Sequence, residues 1–362
     1  MVNVLFITQS LDFAGASKML AFVAESLIER KHKVYIANLK GTTSNNNYER
    51  KIAKDIEVKD FSKFSRKNQI LNIKNFAKEK GIDIVIGFTQ IPNGIARIVG
   101  FMLGIPSIIC ERGDPNYNGL DKTLKNKLLL KIINTSQGGV FQTEGARDFY
   151  GKGLRKRGAI IPNPVFVKDE LPNIQINERE KSVVSVARLD NFSKRYDVML
   201  DAFKLFSQKH PDYVLKLYGK GADEELIKQW VEDRGLSDKV RFMGLTTSPM
   251  KDIAKDGMFI ISSDSEGISN SLLEAMAVGL PCVSTDHTPG GARLLITHGE
   301  NGLLSPIRDA EKLAENMCKF AEDKELAEKC GKNAKDVLVR FAPERIIDMW
   351  ESYIIKLVEK QK

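Results

Sequence analysis

Short apolar runs alternate with stretches of helical periodicity from the start of the chain. The run VNVLFI predicts a buried strand, and the segment after it places Met19, Leu20, Val23, Leu27 and Ile28 on one stripe of a helix. The alternation continues through the runs KVYIANL, IDIVIGF, PSIIC and GGVFQT. Strands that alternate with helices form a parallel, doubly wound sheet. The first half is therefore predicted to be an α/β domain.

After residue 165 the stretch VKDELPNIQINEREK loses periodicity and collects proline, asparagine and charge, as a linker does. The alternation then begins again with SVVSVARL and continues through YVLKLYG, KVRFMG, GMFIISS and PCVST. The pattern predicts two Rossmann-like domains, 1–168 and 169–362, with a last helix that can cross back to the first domain. Ligands of such sheets bind outside the carboxyl ends of the strands, so we expect a binding cleft between two facing domains.

The composition is that of a globular protein with a large core, since 42% of the 362 residues are hydrophobic. The cysteines form no CxxC pair and only four histidines accompany them, which predicts neither a disulfide framework nor a zinc site. The cysteines are Cys110, Cys282, Cys318 and Cys330. No apolar run approaches the roughly 18 residues of a membrane span, and no signal peptide is recognisable. The sequence therefore predicts a cytoplasmic protein.

Positive charge is concentrated in the first half. Residues 1–165 hold 26 Lys and Arg against 14 Asp and Glu, a net charge of +12, whereas residues 166–362 hold 29 against 33, a net charge of −4. The excess suggests an anionic partner, either phosphate groups or an acidic membrane surface on the inner face of the cell membrane, although solvated lysines explain part of it. A nucleic-acid partner is not expected, because the basic half lacks interleaved aromatics and any known binding module.

The segment LDKTLKNKLLLKIIN, residues 120–134, interleaves lysines with leucines and isoleucines. The lysines are Lys122, Lys125, Lys127 and Lys131. This pattern suits a helix that lies in the interface of an anionic membrane, and it equally suits a helix that faces the core.

The stretch SSDSEGISNSLLEAMAVGLPCV carries the most specific chemistry. Glu266 follows a strand, Gly267 lets the backbone approach a ligand, and the next amides open a helix, an arrangement that can grip a phosphate. Glu274 lies within that helix and can accept hydrogen bonds from vicinal hydroxyls such as those of a ribose. A capping carboxylate followed by an ordinary glutamate on a surface helix is the alternative interpretation.

Two cations follow the strand SVVSV. Arg188 and Lys194 lie in its loop, and fixed positive charge of this kind stabilises a leaving diphosphate. Arg195 can take the place of Lys194, and solvated surface cations are the alternative. The acidic triplet Asp264-Ser265-Glu266 looks like a metal-binding motif, but it leads into a glycine and a helix start, so no metal site is predicted there.

These motifs together resemble the retaining GT-B glycosyltransferases of family GT4, a group with many capsule, lipopolysaccharide and teichoic-acid enzymes. The resemblance covers nearly the full length. The matching pieces are FAGASKML, FQTEGARDFY, IPNPV, the loop with Arg188 and Lys194, LYGKGADEELIKQWVEDRGLSDKVRFMG, the two glutamates eight positions apart, GLPCVST and GGARLLITHGENGLL.

The resemblance implies a role for each matching residue. Arg188 and Lys194 would hold the donor diphosphate, Glu266 would contact the donor sugar, and Glu274 would hold the ribose. The remaining donor-binding residues it implies are Gly15, Arg241, Gly244, Gly267, Ile268, Ser269 and Asn270. For Gly15, and for the pair Gly290 and Gly291, a tight turn is the alternative.

The sequence departs from many relatives after the fifth strand, where they carry a histidine. Here the strand runs into ERGDP, which resembles a SERNDP-like segment of some bacterial polysaccharide enzymes and makes Glu111, Arg112 and Asp114 candidates for contact with the acceptor or donor sugar. A loop of polar surface residues is the alternative. Of the four histidines, His287 alone is expected to line the cleft.

The resemblance implies a hexosyltransferase that uses no metal or other cofactor. It would transfer a hexose or N-acetylhexosamine with retention from a UDP-sugar to a glycan acceptor, such as a polyprenyl-diphosphate-linked sugar, in polysaccharide biosynthesis. A nucleotide-sugar epimerase with the same fold is the alternative. A dehydrogenase is not expected, because FAGAS is not the GxGxxG fingerprint.

Overall fold

The computed structural model describes residues 1–11, 15–41, 53–167, 170–172 and 174–361. The chain folds as two compact units, one formed by Met1–Asn163 with Glu344–Lys362 and the other by Pro164–Pro343. The first unit thus takes its last helix from the end of the chain, and its first segment ends at Asn163, whereas the sequence interpretation ended the first domain at residue 168. The turn-like tract at residues 42–47 and part of the motif FAGASKML lie outside the described residues.

In its described part the first unit holds a seven-stranded sheet, whose pairings are all parallel. Its strands are β1 (Asn3–Thr8), β2 (Lys33–Asn38), β3 (Glu57–Asp60), β4 (Ile84–Phe88), β5 (Ser107–Glu111), β6 (Gly138–Phe141) and β7 (Ala159–Ile160). Its helices before Asn163 are α1 (Gly15–Glu29), α2 (Arg66–Glu79), α3 (Gln90–Leu103), α4 (Leu124–Ile133), α5 (Glu144–Asp148) and α6 (Lys152–Arg157). The strand order is β3-β2-β1-β4-β5-β6-β7, so β1 and β4 are neighbours at the point where the order reverses.

The second unit repeats this plan with a six-stranded sheet across the residues described, again with parallel pairings. Its strands are β8 (Ser182–Val186), β9 (Val214–Tyr218), β10 (Val240–Gly244), β11 (Met258–Ile261), β12 (Cys282–Thr285) and β13 (Leu303–Ser305). Its helices are α7 (Asn191–Lys194), α8 (Tyr196–Lys209), α9 (Glu224–Asp233), α10 (Pro249–Ile253), α11 (Asn270–Ala277), α12 (Gly291–Leu295), α13 (Ala310–Glu322), α14 (Lys324–Ala334) and α15 (Val337–Arg340), and a 3-10 helix spans Ile176–Glu178. The order β10-β9-β8-β11-β12-β13 places β8 beside β11 at the reversal.

Burial on both faces explains why the central strands are almost wholly apolar. Every residue of β4 and of β11 is buried, whereas all four residues of the edge strand β3 are exposed. Strands covered by helices on both faces read as continuous hydrophobic runs, while an edge strand with no packed face carries charge. Packed apolar side chains therefore stabilise the central strands. The loops at the carboxyl ends of these strands can provide functional side chains.

The last helix, α16 (Pro343–Glu359), packs on the first unit through an apolar face and a polar contact. Trp350 is fully buried and its ring stacks on Phe88 at 6.0 Å between centroids. At the edge of this contact Arg30 Nη1 lies 2.6 Å from Glu351, and His32 Nε2 lies 2.8 Å from the same carboxylate. These contacts make α16 part of the core of the first unit.

Membrane-spanning helices are not found among the residues that the structure describes, because none of their helices is both long and apolar enough.

Candidate active site

The carboxyl ends of β8 and β11 lie side by side at the reversal of strand order in the second unit. Open parallel sheets bind their ligands at this position, because the loops leave toward opposite faces and open a crevice. The segment between β8 and α8 carries Arg188 in its loop and Lys194 as the last residue of the short helix α7, and the loop after β11 carries Glu266. The sequence-predicted cations and carboxylate therefore share one edge of the second sheet.

Lys194 and Glu266 form an ion pair at this edge. The Lys194 ammonium lies 2.8 Å from Glu266 Oε1, and the two side chains are only 18% and 13% exposed. Ser263 donates a hydrogen bond of 2.6 Å to the same oxygen. Burial alone raises the pKa of Glu266, but Lys194, His287 and Ser263 together hold that pKa below its ordinary value. The site thus presents an ionised carboxylate and an ammonium in a small, largely dehydrated volume.

Backbone contacts hold both members of the pair. Ser262 Oγ donates to the Lys194 carbonyl at 2.7 Å, and the Glu266 amide donates to the Thr288 carbonyl at 2.8 Å. The loops after β8, β11 and β12 are therefore joined to one another around the pair, which fixes where the ammonium and the carboxylate point.

Arg188 lies in the same loop as Lys194 but does not join the pair. Its guanidinium contacts Asp190 at 2.6 Å, and its side chain is 68% exposed. An exposed ion pair of this kind contributes little to stability and exchanges partners readily. The structure therefore brings Lys194 and Glu266 together and leaves Arg188 at the surface nearby.

Two glycines that the sequence interpretation missed support the Arg188 loop. A Cβ on Gly219 would lie 1.9 Å from the Ala187 carbonyl oxygen, and one on Gly221 would lie 2.0 Å from the Leu189 carbonyl oxygen. Gly244 accepts a 2.7 Å hydrogen bond from the Gly219 amide and has a φ of +72°. The motif LYGKG marks these glycines in the sequence, but their contact across strands is visible only in the fold.

The helix α11 begins at Asn270, four residues after Glu266. Ser269 caps the helix by accepting from the Leu272 amide at 3.4 Å, and Ile268 is buried. Gly291 packs so closely here that a Cβ on it would lie 1.6 Å from the Gly267 carbonyl oxygen. The glycine pair is thus more than a turn: Gly290 has a φ of +98°, and Gly291 leaves room for the backbone that carries the first amides of α11.

The remaining predicted donor residues have different surroundings. Glu274 is half-buried within α11, and Arg241 lies on the edge strand β10, where its guanidinium donates to the Ser237 and Val240 carbonyls. Gly15 is the exposed first residue of α1, and the loop before it, residues 12–14, lies outside the described part.

His287 follows β12 and is fully buried, and neither ring nitrogen has a hydrogen-bond partner among the described residues. Burial lowers the pKa of His287 although Glu266 opposes this effect. The imidazole therefore lies close enough to the Lys194–Glu266 pair for the Glu266 carboxylate and the imidazole to act on each other's pKa.

The carboxylates of the acidic triplet are both bound by cations of the chain. Asp264 contacts Arg195 and Arg308, and Glu266 contacts Lys194. In the described residues the one group of metal-type ligands lies elsewhere, at His210, Cys318 and Glu322, where His210 Nε2 and Glu322 are 3.2 Å apart.

The first unit has a pocket of about 390 Å³ at its own reversal point. It is lined by residues that follow β1, β4 and β5, including Gln9, Thr89, Glu111, Arg112 and Asn118. Thr89 has a φ of +75°, a costly conformation for a β-branched residue. Such strain accumulates at functional sites and persists only where the surrounding structure enforces it.

Glu111 and Arg112 are fixed in this pocket. Glu111 accepts from the Arg112 and Gly113 amides at 3.1 Å each and from the Tyr150 hydroxyl at 2.7 Å, and burial raises its pKa. Arg112 donates to Asn163, and burial lowers its pKa to about 10. Glu111 is therefore buried, Arg112 is half-buried and both are hydrogen-bonded, which excludes the alternative that they belong to a loop of polar surface residues.

Asp114, the third residue of this prediction, is not among the lining residues that define the pocket. It is buried, and its carboxylate accepts from the Asn116 and Tyr117 amides at 3.0 and 3.3 Å, which stabilises the turn that follows the pocket.

Comparison with known proteins agrees with this geometry. The whole fold matches the crystal structure of HepE from Anabaena in complex with UDP, with a TM-score of 0.81, 18% identity and coverage of 98% of this chain and 100% of that one. The chain therefore has the GT-B fold. Residues 167–337 match the family described as glycosyl transferases group 1. Together with the curated relatives that are named as glycosyltransferases, this match identifies the chain as a glycosyltransferase. The expected resemblance to GT4-type enzymes is confirmed.

Curated relatives cover the chain to different extents. An exopolysaccharide phosphotransferase of Streptomyces coelicolor is 32% identical over 61% of this chain, but the alignment spans only 24% of that protein. An uncharacterised glycosyltransferase of Haemophilus influenzae is 24% identical over 96% of this chain and 99% of its own. A Campylobacter jejuni N-acetylgalactosaminyltransferase, named for a diphospho-undecaprenol-linked substrate, is 26% identical over 73% of this chain and 74% of its own.

Proposed function

We propose that the protein transfers a hexose or N-acetylhexosamine from a UDP-sugar to a glycan acceptor, with retention at the anomeric carbon, in the synthesis of a cell-surface polysaccharide. The observation that carries the proposal is the Lys194–Glu266 pair at the reversal point of the second sheet. The family match and the names of the relatives favour transfer over nucleotide-sugar epimerisation.

The donor diphosphate is assigned to the edge that carries Lys194. The ammonium and the exposed guanidinium of Arg188 stabilise the charge that grows on the leaving diphosphate, and the amides of Gly267–Asn270 add to this at the start of α11. In this proposal cations of the chain, rather than a metal ion, neutralise the diphosphate. Glu266 binds a hydroxyl of the donor sugar, Glu274 binds the ribose, and the backbone of Arg241–Gly244 flanks the base. UDP is chosen because the matching HepE structure holds it.

The proposed transfer step is the retaining route that the family resemblance implies. The acceptor hydroxyl forms a bond to the anomeric carbon on the face from which the diphosphate leaves, and a phosphate oxygen takes the hydroxyl proton. The new glycosidic bond therefore keeps the configuration of the donor. The pocket with Glu111 and Arg112 is assigned to the acceptor sugar, because its carboxylate, amides and hydroxyl are groups that bind sugar hydroxyls.

A panel of nucleotide sugars tests the donor assignment. We expect one UDP-sugar to raise the melting temperature of the parent protein, since a ligand at about 100 times its Kd adds about 2.7 kcal/mol of stability, and the same UDP-sugar should release UDP when acceptor is present. GDP-mannose serves as the comparison. If no UDP-sugar changes the melting temperature and none is consumed, the proposed function is wrong.

The second part of the proposal is that the protein contacts a membrane through the exposed side chains of α4 and its neighbours. Leu124 and Leu128 are 76% and 53% exposed, and Phe101 at the end of α3 is 73% exposed. Exposed lysines accompany them, namely Lys122, Lys125, Lys127 and Lys131. Exposed apolar side chains beside basic ones favour binding to an anionic bilayer, and a polyprenyl-diphosphate-linked acceptor would reside in such a bilayer. The name of the Campylobacter relative points to such an acceptor.

Co-sedimentation with liposomes tests this contact. We expect binding to vesicles with anionic lipid at low salt, weaker binding at high salt, and a loss of most binding in a Leu124→Ser, Leu128→Ser variant. The control is Leu226→Ser, at an exposed leucine on α9 of the second unit. Equal sedimentation with neutral and anionic vesicles, or none with either, would contradict the membrane assignment.

A further inference from the structure

Asp264 is a buried carboxylate that holds two arginines in the second unit. It is 2% exposed, and its Oδ2 atom accepts from Arg195 Nη1 at 3.0 Å and from Arg308 Nε at 2.9 Å. Its Oδ1 atom is buried with no partner among the described residues. A charge taken out of water needs strong compensation, so the two guanidinium groups are required to keep this carboxylate inside.

Both arginines adopt a backbone conformation that is unfavourable for them. Arg195 has a φ of +53° and Arg308 a φ of +60°. No other non-glycine residue of the second unit, in its described part, has a positive φ. A left-handed residue other than glycine costs on the order of 1 kcal/mol or more and persists where the surroundings enforce it. Here both strained residues hold the same buried carboxylate.

Arg195 cannot substitute for Lys194 as a ligand for phosphate without breaking these contacts. Its Nε and Nη2 atoms donate to Asp197 at 2.9 and 2.6 Å, and its Nη1 atom donates to Asp264. The hydrogen bonds that it donates to Asp197 and Asp264 raise the pKa of Arg195 further above its ordinary range. The guanidinium is thus fully engaged inside the protein, and the open alternative from the sequence, that Arg195 performs the role of Lys194, is disfavoured by the contacts.

The carboxylate is connected by short links to the ion pair of the active site. Arg195 directly follows Lys194, and the Asp264 amide donates to the Ser193 carbonyl at 2.9 Å. Asp264 also lies two residues before Glu266, and its carbonyl accepts from the Thr288 amide at 3.2 Å. The loops after β8, β11, β12 and β13 therefore meet at this one residue, with Arg308 supplied by the last of them.

We propose that Asp264, Arg195 and Arg308 form a positioning cluster that sets the Lys194 ammonium against Glu266, so that Asp264 is a positioning residue for sugar transfer although it touches no substrate. The inference rests on the proposed function for its rate prediction. Because transition-state charge develops on the diphosphate, a shift of the ammonium by a fraction of an ångström affects the rate more than the binding of the donor.

Asp264→Asn tests the proposal, because it keeps the size of the side chain and removes the charge that holds both arginines. We expect kcat to fall by about tenfold or more while the donor KM changes less than about threefold, at a temperature where the variant is fully folded. Arg308→Met removes one of the two arginines and should show a smaller fall of the same kind. The matched control is Asp201→Asn, which breaks the ion pair between Asp201 on α8 and Arg234 at the end of α9.

Hydrogen–deuterium exchange provides a readout that does not need activity. We expect Asp264→Asn to speed exchange in peptides that cover residues 187–196 and 262–270, while those of α13 stay as in the parent. If exchange is faster in Asp264→Asn but the parent protein transfers no sugar, the positioning cluster is supported and the proposed function is rejected. Unchanged exchange at both loops, or a loss of kcat no larger than the loss of folded protein, would overturn the positioning role. If Asp264→Asn does not fold, the same two criteria apply to Arg308→Met.

Discussion

Replacing Lys194 with alanine is expected to lower kcat for sugar transfer by about 10²- to 10³-fold. The ammonium lies 2.8 Å from Glu266 in a site where both side chains are largely buried. Removal of one preorganised group that stabilises transition-state charge costs about 2.7–4 kcal/mol in well-studied enzymes. The loss should appear in kcat, because Arg188 and the α11 amides remain available to hold the ground-state diphosphate.

The same variant has a predictable dependence of stability on pH. In the parent, the pKa of Glu266 lies below its ordinary value of 4.5, so its ionised form stabilises the fold above that value, and this contribution is lost as the pH falls through the folded pKa. Without Lys194, burial dominates and raises the pKa of Glu266. The stability deficit of Lys194→Ala should therefore be small near pH 4 and grow toward pH 7.

Steady-state kinetics and urea unfolding at several pH values measure both effects. The control is Lys228→Ala, since that ammonium pairs with Glu224 and Glu225 on the exposed face of α9. We expect the control to keep the parental rate. If the kcat of Lys194→Ala lies within about threefold of the parental kcat, the donor diphosphate does not bind at this edge of the sheet.

Gly291→Ala is expected to have the largest effect on stability. Its Cβ would lie 1.6 Å from the Gly267 carbonyl oxygen, less than half of an ordinary contact distance, and the obstacle is backbone rather than a side chain that can turn away. The segment between Glu266 and α11 must move, which we expect to cost more than about 3 kcal/mol and to abolish UDP binding.

Gly290→Ala separates this clash from backbone strain. Gly290 has a φ of +98°, but a Cβ there would meet only the Arg293 side chain at 3.4 Å. Strain of this kind costs about 1–3 kcal/mol, and UDP binding should remain. Urea unfolding and a UDP titration of both variants give the comparison. Equal stability and equal affinity in the two variants would show that the close approach at Gly267 has no role.

Much of the fold is readable from the sequence, because most strands are buried on both faces. The apolar runs predict β1, β2, β4, β5 and β11. Helical periodicity predicts helices at residues 223–234 and from about 270 to 278, within one residue of the ends of α9 and α11. The charged strand β3 is missed, because an exposed edge strand carries no apolar run. Within residues 120–134 the expected helix forms as α4, but which of its faces is covered depends on neighbouring elements that the sequence does not identify.

The site is only partly predictable from the sequence, because its contacts join residues that are distant in sequence. Lys194 and Glu266 follow strands that are distant in sequence, and motif resemblance suggests that both bind the donor. Their contact with each other, and the isolation of Arg188, depend on side-chain placement. The sequence interpretation assigned no role to Asp264, because its partners Arg195 and Arg308 lie 69 and 44 positions away. The positive φ angles of Arg195 and Arg308 could not be predicted either, because a glycine in a sequence suggests a positive φ and an arginine does not.

The central claim is that the donor diphosphate binds at the Lys194 edge of the second sheet. A crystal structure of the full chain with UDP bound tests this claim most directly. The account predicts diphosphate oxygens within hydrogen-bond distance of Lys194 Nζ and of the amides between Gly267 and Asn270, with the uridine toward β10. UDP seated instead in the pocket beside Glu111, or a Lys194–Glu266 contact shielded from every phosphate oxygen, would contradict it.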